Sequence, residues 1–385
     1  MVVSENAAST EEASPSGASV DLRALGLRPV INAAATLTRL GGSLVAPGVV
    51  EAMAAGSRHF VDLPALQRVV GERIAQLTNN EAAYISSGAA GGIVVSVAAC
   101  LAGTDPGRIA NFPSLHGFAR TEVIIQRAQR NGYDYAIRQT GATLVEIDGS
   151  VEALESAITD RTGAVVLFAG TRLAAGALPI ETVIGTAHHH HVPVIVDAAA
   201  QMPPISNLWR YTRDLGADIA TFSGGKGLRG PQSTGLVLGR ADLIEGCIAN
   251  ASPNTSIGRP LKVGKEELFG ILAAVEWSLA QDEPATIARY EAVVAGWLAG
   301  LHGLPGVAAE RSFPSEAGQP HARLLVALGD DAAIDRDALV RALWDRDPRI
   351  AVLEVGEHGV ALNPQTLQDG EDAIVLDVVR ALLSV

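Results

Sequence analysis

From Ala82 onward the chain alternates short β-branched runs with longer Ala- and Leu-rich stretches, and no other feature restricts its fold so strongly. That alternation is the mark of βαβ units around a mainly parallel sheet. The runs are Val123 to Gln126, Thr143 to Ile147, Ala164 to Phe168, Val192 to Val196, Ile219 to Phe222 and Gly235 to Leu238. Most are apolar at successive positions, so helices must cover both faces and the strands form the middle of three layers. Lys265 to about Leu301 reads as one long helical connection, and Ala322 to Leu328 and Ile350 to Leu353 as strands of a smaller lobe. The expected architecture is α/β, with a large three-layer domain over 23–280 that includes an N-terminal arm. A smaller α+β domain follows over 281–385, a division in keeping with the 385-residue length. The stretch 1–22 is rich in Ser, Ala and Glu, without the basic start and apolar run of a signal peptide, and reads as a disordered tail.

Composition narrows the class. Hydrophobic residues make up 48% and charged residues 18%, which supplies a core and argues against global disorder. Against 42 Asp and Glu stand 29 Lys and Arg, a net charge of −13 that repels a phosphate backbone and disfavours nucleic acid as a partner. Only two cysteines occur, Cys100 and Cys247, with no CxxC or Cys/His spacing, so neither a disulfide framework nor a structural zinc site is expected. A reducing, cytoplasmic compartment fits that usage. No segment has some 18 apolar residues without charge, so no membrane span is expected. The four consecutive histidines His188 to His191 point in different directions at a helix end and read as a solvated terminus, not a metal site. Trp209, Trp277, Trp297 and Trp344 read as core or interface residues.

Chemistry concentrates at three places. Ser86-Ser87-Gly88-Ala89-Ala90-Gly91-Gly92 lies between a short apolar run and a helical stretch, where backbone N–H groups and the helix dipole suit a phosphate. The same residues would equally make an ordinary strand-to-helix turn. Val194-Ile195-Val196-Asp197 ends a buried strand on a carboxylate, at the edge where α/β sheets bind ligands. Such a carboxylate needs a cation or donor, unless it merely caps the next turn. Thr221 to Pro231 sets Lys226 among glycines after a strand, as would suit an amine that must approach a flat cofactor, with Ser223 placed to donate to a phosphate. A partly desolvated lysine there is a nucleophile, although a turn with an incidental lysine is the plainer reading.

Together a phosphate cradle, a strand-end Asp and a glycine-flanked Lys are the parts a pyridoxal-phosphate enzyme requires. The chain resembles the fold-type I pyridoxal-phosphate enzymes of the selenocysteine synthase-like group, above all its D-glucosaminate-6-phosphate ammonia-lyase branch. The likeness runs from about Val30 to Leu367. It rests on Ile31-Asn32-Ala33-Ala34 with Leu40-Gly41-Gly42-Ser43, Val61-Asp62-Leu63 with Leu66-Gln67, and Val196-Asp197-Ala198-Ala199. Ser223-Gly224-Gly225-Lys226 with Gly230-Pro231-Gln232, and the block from Gly258 to Glu266, complete it.

The resemblance implies pyridoxal 5'-phosphate as cofactor, a Schiff base at Lys226 and a salt bridge from Asp197 to the ring nitrogen. It further implies phosphate contacts from Ser87, Gly88, Ala89 and Ser223, with Ala199 under the ring. An anionic Asp197 keeps that nitrogen protonated, and Lys226, once released, is the base for the α-proton. Relatives tend to carry a His before the Arg-Asn-x-Tyr-Asp block where this chain has Gln129, which can hydrogen-bond to the cofactor but cannot titrate. His116 reads as a surface residue. Arg259 and Lys262 are expected to meet an anionic substrate group or the cofactor phosphate, across a dimer interface, the former bidentately, while Lys265 beside Glu266 and Glu267 reads as a solvated helix start. The implied activity is a lyase that removes the α-proton of an amino acid or amino-sugar acid, eliminates a β-substituent and releases ammonia. Racemase, aminotransferase and selenium or sulfur transfer are the alternatives, and a non-enzymatic cofactor-binding regulator is disfavoured by Lys226 and Asp197. Fold-type I sites are commonly completed by a second subunit, so a homodimer or higher homo-oligomer is expected.

Overall fold

Seven strands form the central sheet of the structure, a computed structural model that describes residues 20–384. The expected tail therefore lies outside the described residues up to position 19. Across the sheet the strands run Ala82–Ser87, Thr234–Gly239, Ile219–Ser223, Val194–Asp197, Thr162–Phe168, Glu122–Gln126 and Thr143–Ile147. All neighbours pair parallel except Thr234–Gly239, which is antiparallel to both strands beside it.

Alternate residues of these strands enter two separate cores, which is why they read as continuous apolar runs. Ile124, Val165, Leu167, Val194, Val196 and Phe222 face the core that helices Leu63–Thr78, Ile180–His189 and Lys265–Leu279 cover. Val123, Ile125, Val166, Ile195, Ile219 and Val237 face helices Gly88–Ala102 and Ala241–Ala249. Each such side chain contributes about 1.5–3 kcal/mol by leaving water. The three-layer reading is confirmed, and the sheet is the mostly parallel one expected.

A second sheet of four antiparallel strands runs Leu353–Val355, Gly359–Leu362, Arg323–Leu328 and Val307–Ser312. Helices Glu283–Leu301, Arg336–Asp345 and Glu371–Leu383 pack on it around Trp297, whose Nε1 donates to the Asp372 carbonyl at 2.9 Å. This core also takes in Ile31 and Ala33. The strand Val30–Asn32 pairs in parallel with Arg349–Ala351, so the start of the arm, assigned to the larger domain from sequence, packs with the smaller lobe. Three residues carry no periodicity that could have revealed this.

Two sequence readings change. The connection over Lys265 to Leu301 is two helices, Lys265–Leu279 and Glu283–Leu301, broken at 280–282. Asp282 caps the second by accepting from the Ala285 N–H at 2.9 Å, with Pro284 in the first turn, a start signal that the long apolar pattern obscured. Ile350 to Leu353 likewise splits into Arg349–Ala351 and Leu353–Val355, which belong to different sheets.

Polar side chains pin the loops at the sheet edges. His188 is exposed like the rest of its tract but also has a partner: its Nε2 lies 2.8 Å from Asp218, a buried carboxylate that also accepts from the Val194 N–H at 2.7 Å and from Arg240 at 2.6 Å. In the Arg130-Asn131-Gly132-Tyr133-Asp134 block, the buried Asp134 accepts from Arg130 Nε at 2.5 Å and from Arg138 Nε at 3.1 Å. Burial pushes its pKa up, but the two guanidinium groups outweigh that and hold it below the usual carboxylate range. The stability this supplies is present above the unfolded-state pKa and is lost as the pH falls through the lower folded value. Asp134→Asn should therefore cost roughly 1–3 kcal/mol at neutral pH in denaturant titrations. The gap to the parent should close below about pH 4; an equal gap at both pH values would contradict the pairing.

Candidate active site

At the carboxyl edge of the large sheet the register places Phe168, Asp197 and Thr221 side by side on adjacent strands. Asp197 is 7% exposed, and one carboxylate oxygen accepts from the Ala199 N–H at 2.9 Å. Burial pushes its pKa up, while the Ala199 N–H, the charge of Lys226 and the neighbouring Thr221 hydroxyl pull it down. The Thr221 hydroxyl is buried and makes no hydrogen bond of normal geometry, which leaves an unspent donor beside the carboxylate. Lys226 lies on the turn after Ile219–Ser223, and burial pushes its pKa down against the pull of Asp197. A carboxylate and an amine are thus held near one another with little water, a setting that favours a neutral, nucleophilic amine.

The glycines around Lys226 serve a different purpose from the one expected. A Cβ on Gly224 would come within 2.1 Å of Thr234 Oγ1, one on Gly225 within 2.4 Å of Gln232 Cα, and one on Gly227 within 2.4 Å of the Met202 carbonyl oxygen. The close approach they permit is between segments of the protein itself, and it fixes the turn that carries the amine. The arm completes the clasp. Ser43 donates its N–H to the Gly225 carbonyl at 3.0 Å and its hydroxyl to that of Lys226 at 2.6 Å, and the Ala46 N–H reaches Arg229 O at 3.0 Å.

Ser87 and Ser223 end strands that flank Thr234–Gly239 on either side, in register with Thr234 and Gly235. Ser87 is the N-cap of helix Gly88–Ala102, and its side chain makes no capping bond. Gly88 adopts φ +66 and donates to the Ser233 carbonyl at 2.9 Å, while Gly235 lacks the Cβ that would strike the Gly88 carbonyl carbon at 2.4 Å. Two hydroxyls and an uncapped helix start are therefore brought to the same edge as Asp197 and Lys226. Ala199 is half-buried two residues after Asp197, and its carbonyl accepts from the Ser223 N–H at 3.4 Å. The buried acid, the desolvated amine and the uncapped helix start suit the pyridine nitrogen, aldehyde and phosphate of pyridoxal 5'-phosphate in turn, with the orphaned Thr221 hydroxyl beside the acid.

Three expected residues behave otherwise. Gln129 is buried with both polar atoms engaged: Nε2 donates to the Phe168 carbonyl at 3.2 Å and Oε1 accepts the Phe168 N–H at 3.1 Å. It ties its loop to the strand next to Asp197 and has no amide atom turned to a ring. Arg259 and Lys262 are exposed on a loop whose Leu261 reaches Gly91 in the first turn of helix Gly88–Ala102. Neither lines the cleft of about 650 Å³ that opens beside Lys226. His116 is exposed on a turn.

The cleft holds Trp277, read from sequence as a core or interface residue, and residues that sequence reasoning passed over, among them Arg229, Arg289 and Tyr290. Arg229 stands at φ +53, donates Nε to the Leu44 carbonyl at 2.9 Å and lies 5.1 Å over the Trp277 ring. Its place three residues after Lys226 was the available signal. Arg289 and Tyr290 sit inside a long apolar helical pattern that gave none.

Comparison with known proteins places the site in context. The aminotransferase class-V family model matches residues 122–253. The chain is 33% identical to 5'-C-glycyluridine monooxygenase-decarboxylase of a Streptomyces species, over 93% of this chain and 91% of that protein. It is 32% identical to D-glucosaminate-6-phosphate ammonia lyase of Salmonella typhimurium, over 93% and 96% respectively. A solved structure of D-glucosaminate-6-phosphate ammonia-lyase superposes with a TM-score of 0.81 at 30% identity, covering 94% of this chain and 97% of that one. With an aminotransferase class-V domain and relatives above 30% identical along more than nine-tenths of its length, this chain belongs to the pyridoxal-phosphate-dependent enzymes of fold type I.

Proposed function

We propose that this enzyme is an ammonia lyase acting on an amino-sugar acid, in which removal of the α-proton is followed by loss of a β-substituent and release of ammonia. The observation that carries the reading is a buried acid, Asp197, and a desolvated amine, Lys226, at one edge of the sheet in a chain 32% identical to an ammonia lyase along nearly its whole length.

Pyridoxal phosphate, when bound, supplies an aldehyde that captures the substrate amine and a ring that accepts the negative charge left at the α-carbon. The chain supplies the rest. Asp197 would meet the protonated ring nitrogen, whose positive charge would offset the burial that raises the acid's pKa, while the Ala199 N–H bonds the carboxylate. Ser87, Ser223 and the main chain at Gly88 and Ala89 hold the phosphate, and Ala199 lies under the ring. Lys226 holds the resting cofactor and then takes the α-proton at Nζ, and its desolvation brings the amine toward the pH at which it can do so. Gln129 acts through Phe168, fixing the strand beside Asp197.

The reading extends to a cytoplasmic homodimer. Leu44, Val50, Phe60 and Val69 are large apolar side chains exposed along the arm and its two helices, Pro47–Gly56 and Leu63–Thr78, a face suited to a second copy. Arg259 and Lys262, exposed and without an ion-pair partner among the described residues, would reach an anion from such a neighbour. Cys100 and Cys247 are both free, as suits a reducing compartment.

The relative at 33% identity is named for oxygen-dependent decarboxylation, which gives a second reading of the same α-carbon site. Turnover of amino-sugar acids separates the two. The lyase reading expects ammonia and a keto acid at equal rates with and without oxygen, whereas oxygen-dependent release of carbon dioxide would favour the other. Lys226→Ala should fold and lose at least about a thousandfold in kcat, since base and covalent anchor vanish together; near-normal turnover would contradict the assignment.

The pKa shift yields a second expectation. A lysine whose pKa lies below its usual 10.5 is neutral, and therefore reactive, at correspondingly lower pH. Uptake of pyridoxal phosphate by the cofactor-free protein should rise with pH to a plateau whose midpoint lies below 10.5. A midpoint at or above that value would show an ordinary solvated amine.

A further inference from the structure

Two guanidinium groups line the cleft of Lys226, neither paired to a carboxylate among the described residues. Arg229 gives Nε to the Leu44 carbonyl and lies on Trp277, which leaves its terminal nitrogens to the cleft. Arg289 is exposed on helix Glu283–Leu301, 5.0 Å over the ring of the buried Tyr290, whose hydroxyl donates to the Gln365 carbonyl at 3.3 Å. Among the described residues neither arginine forms an ion pair, although Glu283 and Asp369 line the same space. Glu283 is engaged with the Ile205 N–H at 2.6 Å. The two cations are close enough for the charge of one to disfavour that of the other.

A backbone at φ +53 is uncommon for a residue with a side chain, and here it carries an arginine that the arm and Trp277 hold in position. Two guanidinium groups that line one cleft, neither in an ion pair among the described residues, suit a ligand that brings negative charge. Guanidinium forks match phosphate and carboxylate oxygens in pairs.

We propose that Arg229 and Arg289 form a subsite for an acidic group on the substrate distal to its amine, so that the enzyme takes amino acids carrying a second terminal oxyanion, a phosphate or a carboxylate. This rests on the reading of Lys226 as the residue that meets the substrate amine, because the same cleft contains both. It assigns specificity to the chain's own cleft, apart from the exposed Arg259 and Lys262.

Calorimetric titration of the holoenzyme with three six-carbon sugar acids that lack an amine tests it: gluconate, gluconate 6-phosphate and glucarate. One or both of the doubly acidic ligands should bind at least about tenfold tighter than gluconate, and the tighter of the two identifies phosphate or carboxylate as the preferred group. In Arg289→Gln that preference should fall below about threefold, Arg289→Lys should restore part of it, and the visible absorption of the cofactor should be unchanged. Arg289 is exposed, so its variants test the subsite even where Arg229→Gln, stripped of its packing on Trp277, fails to fold. Equal affinity of the parent for all three ligands, or an undiminished preference in Arg289→Gln, would overturn the subsite. Loss of the cofactor band in Arg289→Gln would also overturn it, by assigning that residue to the cofactor. A parent protein that never acquires the band would instead contradict the cofactor assignment, while the ligand preference is still read on the same protein.

Discussion

A carboxylate and an amine held out of water at the edge of one sheet are the constraint around which the remainder is arranged. Asp197 is forced into that position because its strand lies in the middle of the sheet, with helices over both faces. Burying a lone charge there is costly, and opposite charges with directed hydrogen bonds offset the cost only if their geometry is fixed. The fixing is visible in the surroundings: Ala199 bonds the acid, the arm bonds the turn of the amine, and Gln129 bonds the neighbouring strand. Each joins a side chain to the main chain, and two of the three tie together segments far apart in sequence, Ser43 to Lys226 and Gln129 to Phe168.

Position at the sheet edge explains which residues were legible. Asp197, Lys226, Ser87 and Ser223 follow from a strong local rule, since they stand where strands end and turns or helices begin, and the fold gathers such positions at one edge. The layered sheet was readable for the same reason: runs apolar on both faces leave little choice. The lysine turn was found by its glycines, although their cause is the Thr234, Gln232 and Met202 backbone and side chains pressed against them.

What the sequence concealed is long-range. The strand Val30–Asn32 exists only because Arg349–Ala351 offers it an edge, and three residues show no period. Gln129 looked like a cofactor contact because the resemblance placed a histidine there, yet a carboxamide has both a donor and an acceptor and satisfies the main chain of Phe168 with both. Arg259 and Lys262 drew attention as a cluster of positive charge in an acidic chain. The cations that line the Lys226 cleft are Arg229 and Arg289, sixty residues apart and gathered only by the fold.

The central claim is that the desolvated amine of Lys226 carries the cofactor. Borohydride reduction of the pyridoxal-phosphate-loaded enzyme, followed by proteolysis and mass spectrometry, tests it most directly. The account predicts a phosphopyridoxyl group on the peptide containing Lys226, at close to one per chain. Labelling spread over surface lysines, with that peptide unmodified, would contradict it.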